Sequence, residues 1–533
     1  MTSQIFSKRI NYLGQNCPAQ LLSSGKKGIE KESLRVTPEG TLAQTTHPSA
    51  LGSTLTHPDI TTDYSEALLE LITPPFEDST EALQYLHDIH RFVYANIGDE
   101  MLWATSMPCI VDGDKSIPIA EYGSSNVGIM KHIYRRGLDV RYGRLMQAIS
   151  GIHFNYSVPA ELWPLLQEYE QDTRPQRAFI DERYMGIARN AMRLEWLLTY
   201  LFGNSPAFCK TFLGGSHEPF QELSAHTGYE PYGTSLRMSD IGYKNNSVSG
   251  LSVPYDNLES YIAGLDHAVN TPYPPYEALG VIVDGEYQQL NGNILQIANE
   301  YYSSVRPKQP TQGNEQPTHA LQQRGVQYIE VRVLDVDAFE PAGVGQSQLH
   351  FLEMCLLYCL LQDSPTITSQ EQAEIDHNQK MASQYGRDPK LQLRRNGDEI
   401  SLSTWAIEIL EEMSSLAELL DRSRQEAEFS NPYSHSLAQQ VAAIREPERT
   451  PSARMLAEMV QRDESFFRFA MRKSLEHQQL FTSQSLTGEK LDHFQKAATR
   501  SLEKQHTIEA SDDRSFDAYL AQYFGVGDEP SSD

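Results

Sequence analysis

The chain has 533 residues, 39% hydrophobic and 22% charged, the balance of an ordinary folded protein with enough apolar material for a large core. Acidic residues outnumber basic ones 71 to 44, a formal net charge of −27. A surface this negative repels phosphate backbones and anionic lipid, which argues against nucleic-acid and membrane-surface partners but leaves room for a small anion held in a local basic pocket.

The N-terminal "MTSQIFSKRINYLGQ" lacks the apolar core of a signal peptide. Residues 28–36, "GIEKESLRV", then read as a β-strand. Alternation puts Glu30, Glu32, Leu34 and Val36 on one face and Ile29, Lys31, Ser33 and Arg35 on the other. Pro38 and Gly40 in the following "TPEG" suit a turn, so a hairpin is expected. Glutamates two apart on a strand have Cα atoms roughly 6.6 Å from each other. They repel at that range, so either the strand end is solvated or something positive sits between them. "TTDYSEALLELITPP" (61–75) adds Asp63, Glu66 and Glu70: a strand would put Glu66, Leu68, Glu70 and Ile72 on one side, a helix would line up Asp63, Glu66 and Glu70, and the pattern leaves the choice open.

"DSTEALQYLHDIHRFVYANIGDE" (78–100) reads as a capped helix, with Leu86, Ile89, Val93 and Ile97 at helical spacing. With no third ligand nearby, His87 and His90 are expected on its solvated face. "SGIHFNYSVP" (150–159) and "QYIEVRVLDVD" (327–337) alternate with period two. Ile152, Phe154 and Tyr156 oppose His153, Asn155 and Ser157 in the first; Ile329, Val331 and Val333 oppose Tyr328, Glu330 and Arg332 in the second. Between them lie helices and polar loops, including "RPKQPTQGNEQPTH" (306–319).

After about residue 345 the pattern turns helical. The most apolar run, "FLEMCLLYCLL" (351–361), is interrupted by Glu353 and too short to span a bilayer; Cys355 and Cys359 within it read as small core residues. Ala406, Ile409, Leu410, Met413, Leu416, Ala417 and Leu420 form a continuous apolar stripe. Thr450 and Pro451 open another helix as N-cap and first residue. The terminal "GVGDEPSSD" reads as disordered. Five scattered cysteines make no disulfide framework or zinc spacing, and a cytoplasmic protein is expected.

Polar strand faces are usually just solvent-exposed. Here they carry Glu, His and Asn rather than Lys and Thr. If they converge, they gather several carboxylates with one imidazole and one guanidinium, a donor set for hard divalent cations that bind carboxylate and phosphate oxygen together. Arg237 in "YGTSLRMSDIGY" (232–243), and Tyr302, Arg306 and Lys308 at the end of "NGNILQIANEYYSSVRPK" (291–308), could supply anion contacts, although a lone arginine is most often a surface residue. The chain has no P-loop, no dinucleotide fingerprint and no nucleophile elbow.

Six blocks in this order, "GIEKESLRV", "ITTDYSEALLELITP", "SMPC", "SGIHFNYS", "TSLRMSDIGY" and "YIEVRVLD", resemble the proteobacterial type of glutamate–cysteine ligase (γ-glutamylcysteine synthetase). The resemblance runs from about residue 25 to 360 and is weaker beyond. It implies an α+β fold like that of glutamine synthetase: a curved antiparallel sheet forming a funnel-shaped active site, flanked by helices. A catalytic part (1–360) would precede a mainly helical C-terminal part (361–533). The implied reaction joins the glutamate γ-carboxyl to the cysteine amine with ATP as co-substrate and Mg²⁺, or Mn²⁺, as cofactor, the first step of glutathione synthesis. By carry-over, Glu30, Glu32, Asp63, Glu70 and Glu330 are metal ligands with His153 at or beside the metal. Arg332 would stabilise the transferring phosphoryl and Arg237 hold a substrate carboxylate. Tyr64, Tyr134, Leu138, Tyr243 and Tyr302 would line a cysteine pocket with Arg135 beside them; Tyr64 stands where relatives can have Phe.

The implied partners are glutamate, cysteine and ATP, bound by a monomer. Two other readings remain at this level: the same fold and metals with a different amine acceptor, or an acidic scaffold with a degenerate site. The presence of Glu30, Glu32 and Glu330 speaks against the scaffold.

Overall fold

The computed structural model describes residues 4–108, 110–213, 220–242, 250–422 and 431–525. Tyr243 and the tail after Gly525 lie outside them. Among the described residues, seven antiparallel strands make the main sheet: β1 (Lys26–Val36), β2 (Ile60–Thr62), β3 (Leu68–Ile72), β4 (Met101–Leu102), β5 (Gly151–Ser157), β6 (Val305–Lys308) and β7 (Tyr328–Asp335). The order is β6-β7-β5-β1-β3-β2, with β4 paired to the end of β1. The expected hairpin after β1 shrinks to a tight turn closed by a Val36–Leu42 bridge, with Gly40 at φ +80°. The segment at 61–75 resolves as strands: β2 and β3 pair through a turn at Asp63–Ala67.

The alternation in β1, β5 and β7 holds where the sheet meets its core. Ile29, Phe154, Ile329 and Val331 are fully buried on one face, in a core shared with helices α1 (Ser79–Tyr94), α3 (Gln176–Phe202) and α4 (Gln346–Leu361). Helix α2 (Asn126–Tyr142) stands on the opposite side, beside the polar face. Further on, the chain is mostly helical: α5 (Leu402–Glu412), α6 (Ser414–Arg422), α7 (Pro451–Arg462), α8 (Phe466–Thr482), α9 (Gly488–Ser511) and α10 (Phe516–Tyr523) among others. The apolar stripe from Ala406 to Leu420 is buried throughout but breaks at Met413 into α5 and α6. Asp78 caps α1 by accepting from Thr80 N at 2.7 Å, and Thr450 caps α7 with Pro451 as its first residue. Among the described residues, no helix is long and apolar enough to cross a membrane.

Two expectations are corrected here. Helix α1 lies across the back of β1, so His90 is buried (1% exposed) and not solvated. Its Nε2 faces Lys31 Nζ at 2.8 Å, its Nδ1 lies 2.7 Å from Leu86 O, and its ring stacks on Phe481. Burial lowers Lys31 to about 7. The second correction concerns the polar stretch 306–319: Arg306 and Lys308 belong to strand β6, opposite Glu330 and Tyr328 of β7. A strand there places both cations on the chemical face.

Glu353, which interrupts the apolar run, is fully buried and pairs with Lys27 at 2.6 Å. Lys27 also donates to the Ser23 and Glu77 carbonyls, and Tyr433 OH donates to Glu353 Oε2 at 2.8 Å. Replacing Glu353 by Ala strands a buried ammonium, so Glu353→Ala should lose about 3–5 kcal/mol in urea unfolding. Lys27→Met with Glu353→Leu should recover most of that.

Glu195 of α3 is buried, and desolvation pushes its carboxyl from 4.5 up to about 8 despite a hydrogen bond from Ser304. The protonated form is favoured in the fold, so its contribution to stability is full below 4.5 and is lost as pH rises through about 8. Glu195→Gln should therefore gain on the wild type between those limits, by up to about 1.4 kcal/mol per pH unit, in denaturation curves compared across that range.

Candidate active site

Register alone builds the site. Glu30 sits opposite His153 and Glu32 opposite Glu70, while Glu330 sits between Asn155 and Arg306 on its two neighbours. The polar faces of β1, β3, β5, β6 and β7 thus form one continuous surface, and the convergence expected from the three alternating strands is present. Asp63 joins from the β2–β3 turn, its side chain 46% exposed and 3.9 Å from Arg135 of α2.

His153 is the hub. Its Nδ1 lies 2.9 Å from Glu30 Oε2 and 3.9 Å from Glu330 Oε1, and its Nε2 lies 3.6 Å from Glu32 Oε1. In the neutral tautomer that donates its Nδ1–H to Glu30, Nε2 keeps a lone pair. Asn155 Nδ2 donates to Glu30 Oε1 at 2.8 Å, and the Gly151 amide donates to Glu32 Oε2 at 2.7 Å. Arg332 Nη1 stands 3.2 Å and Lys308 Nζ 3.7 Å from Glu330 Oε1.

These contacts divide the carboxylates. Burial raises Glu330, but Lys308, Arg332 and His153 outweigh it and hold the group well below the usual range. Glu30 is likewise lowered against its burial, by the His153 hydrogen bond. Glu32 is raised by burial, with the charge of Asp63 adding to it. Glu70 is raised well above the ordinary value by burial and by the charges of Glu30, Asp63 and Glu32.

A divalent cation fits this set. Glu30, Glu70 and His153 each offer a ligand atom within 4.8 Å of the others, and among the described residues Glu330 Oε2 is buried with no hydrogen-bond partner. Oxygen-rich donors with one imidazole suit Mg²⁺ or Mn²⁺.

Glu66 does not join the set. In the turn it is buried and accepts from the His47 and Glu121 amides, at 2.8 Å each. Arg237 is buried beside β7: its Nη2 donates to Arg332 O at 2.9 Å, and its Nη1 lies 3.8 Å from Asp335. A Cβ on Gly151 would come within 2.2 Å of that guanidinium, so only glycine lets Arg237 lie there. Tyr302 OH reaches Met238 Sδ at 3.4 Å on the same side, and Arg237 Nη1 reaches that sulfur at 3.3 Å.

Above the carboxylates is a cavity of about 440 Å³. Tyr134, Arg135 and Lys131 of α2 wall it on one side, with the loop after β6 and Tyr519 and Tyr523 of α10 completing it. Tyr64 and Leu138 are buried behind Tyr134 in an apolar cluster. The cysteine-pocket candidates therefore fall into two groups, one around Tyr134 and one around Tyr302.

Sequence reasoning missed Lys131, although it precedes Arg135 by one helical turn. Burial lowers it to about 8. It also missed Asp335, which accepts from the Ser205 and Ser235 hydroxyls at 2.6 and 2.8 Å and braces Arg237. A register shift between Val331 and Leu334 turns Asp335 toward Arg237. Strict alternation hides it.

A family model described as glutamate–cysteine ligase matches residues 10–382. The glutamate–cysteine ligase of Alcanivorax borkumensis is 48% identical over 97% of this chain and 99% of its own, and that of Pseudomonas putida is 48% identical over 98% of each. Among solved structures, the glutamate–cysteine ligase of Francisella tularensis in complex with AMP superposes with a TM-score of 0.88 at 35% identity, covering 94% of this chain and 98% of its own.

The two acidic neighbours in the 61–75 segment should part company under mutation. Glu70→Gln should weaken Mn²⁺ binding at least about tenfold in a titration followed by electron paramagnetic resonance. Glu66→Ala should leave that affinity in place and instead lower stability by about 2 kcal/mol, because two buried amides lose their acceptor.

Proposed function

Since the chain belongs to the glutamate–cysteine ligase family, whose members are ligases, we propose that it joins the γ-carboxyl of L-glutamate to the amine of L-cysteine at the expense of ATP. The products are γ-glutamylcysteine, ADP and phosphate, the first step of glutathione biosynthesis. The observation that carries this reading is one sheet face bearing Glu30, Glu32, Glu70, Glu330 and His153 beside Arg306, Lys308 and Arg332. The carboxylates match a metal and the basic groups match phosphates. The AMP bound by the Francisella relative supports a nucleotide here.

A carboxylate is a poor acyl donor, so the γ-carboxyl is first phosphorylated and the amine then displaces phosphate. Glu30, Glu32, Asp63, Glu70, Glu330 and His153 would hold Mg²⁺ or Mn²⁺, which when bound neutralises phosphate charge. Arg332 is partly buried beside Glu330, and the charges of Glu330 and Glu32 outweigh its desolvation and keep it firmly protonated, as a group stabilising the transferring phosphoryl must be. Arg237, held rigidly by the Arg332 carbonyl and near Asp335, is the clamp for a substrate carboxylate. Tyr134 and Arg135 on the cavity wall, with Tyr64 and Leu138 behind, shape the acceptor pocket, and Tyr302 beside Met238 belongs to the second group of its candidates.

The curved sheet is read as a funnel of the glutamine synthetase kind, with a catalytic part at 1–360, a helical part at 361–533 and action as a cytoplasmic monomer. In support, all the metal-ligand candidates precede residue 360, and the cavity stands on the sheet face.

With glutamate, Mg²⁺ and ATP, ADP should be released when cysteine or 2-aminobutyrate is added. If both fail while another amine succeeds, the acceptor is wrong. Glu330→Gln should lower turnover at least about a hundredfold; near-normal activity would remove Glu330 from the metal set.

A further inference from the structure

Two side chains of the catalytic cavity come from the far end of the chain, and nothing in the chemistry above uses them. Tyr519 and Tyr523 stand four residues apart on α10, one above the other on a single helix face, and both line the cavity over the carboxylates.

The helix that carries them is docked firmly. Leu520 packs with Met130, Ile133 and Leu290, and the Phe516 ring meets Tyr287 edge-on at 5.2 Å. The Asp512 carboxylate, just before the helix, accepts from the Asn126 amide at 2.5 Å and from its side chain at 2.6 Å. Tyr287 OH donates to Asp517 at 2.5 Å, and Gln316 donates to the Tyr523 carbonyl. So the two rings are fixed in place at the cavity. The Tyr519 hydroxyl is buried and, among the described residues, has no hydrogen-bond partner.

We propose that Tyr519 and Tyr523 form the nucleobase end of the cavity, positioning a purine against a tyrosine face. The inference rests on the ATP-dependent reading above. The sheet face, with its metal ligands and its cations Arg306, Lys308 and Arg332, takes the phosphates. Both amino acids are short and must react there. Of the three substrates, only the nucleotide carries a flat, weakly polar group well away from its reacting phosphate, and aromatic rings bind such a group by stacking. Gly313 and Asn314 line the same cavity and offer peptide and amide groups for the base edge. The competing occupant is the acceptor amino acid, because Tyr134 shares an apolar cluster with Tyr519.

The test uses the full chain with Tyr519→Ala, Tyr523→Ala and the matching Phe variants. Each Ala variant should raise KM for ATP and Kd for ADP, by calorimetry, about tenfold, the value of one base–aromatic stack. Values of kcat, KM for glutamate and KM for cysteine should stay within about twofold, Tm should hold, and the Phe variants should bind ADP as the wild type does. A rise in KM for cysteine with ADP affinity unmoved overturns the proposal and puts the helix at the acceptor end. Unchanged ADP affinity in both Ala variants overturns it and leaves the ligase reading intact. A wild-type chain that binds no ADP overturns both.

Discussion

Repulsion between carboxylates on a single sheet face is the constraint around which this molecule is arranged. Glu32 and Glu70 are directly opposed across β1 and β3, a pairing that works against the sheet. Glu30 and Glu330 flank the same imidazole. Compensation is uneven: Glu330 has two cations and Glu30 has a hydrogen-bonded histidine, while Glu70 has no comparable partner among the described residues and keeps its proton far more tightly than an ordinary carboxylate. Local stability is given up at the face proposed to hold a cation. The opposite face supplies the balance, with Ile29, Phe154, Ile329 and Val331 fully buried.

Alternation also denies β1 its nearest neutralisation. Lys27, Lys31 and Arg35 lie one residue from a glutamate in sequence or close to it, yet point to the other side of the sheet, where water is absent. Each meets a partner from elsewhere: Lys27 meets Glu353, Lys31 meets the His90 ring nitrogen, and Arg35 meets Glu100 at 2.7 Å and the Thr45 hydroxyl. A charge buried without a partner is far more costly than a paired one. The central strand is thereby tied to α1, to α4 and to the loop before β4 by contacts that also fix its register. A one-residue slip would send the glutamates into the core and the basic groups into the cavity together.

Much of this was legible because period-two alternation is a local property. The faces of β1, β5 and β7 could be written down from residues 28–36, 150–157 and 328–333, and their convergence followed once the strands were assumed to pair. What was not legible depended on local breaks or remote packing. Arg306 and Lys308 hide in a proline-rich polar stretch that looks like loop, although Pro307 sits in β6 at the edge of the sheet, where a missing amide is tolerated. Asp335 is displaced from its face by the shift after Val331. Glu66 is the same residue type as Glu70 but serves two backbone amides in a turn, and no pattern of residue types separates the two. His90 resembles a surface histidine until α1 is laid on β1.

The position of α10 shows that the boundary drawn near residue 360 divides the sequence more cleanly than it divides the site. One apolar core includes Phe6, Ile29, Leu357, Leu410 and Ala498, so the helical part shares the interior that backs the sheet. The cavity, in turn, takes side chains from Glu30 at one end of the chain to Tyr523 at the other. Contacts over such separations close long loops and are entropically demanding. The carboxylate floor needs only the sheet, whereas the outer wall needs α10 docked on α2. The floor is set by strand register and tolerates little movement. The wall is held by Leu520, Phe516 and the polar contacts of Asp512 and Asp517, which dock α10 on α2 and on Tyr287. The outer wall can thus vary without disturbing the strand register that sets the carboxylate floor.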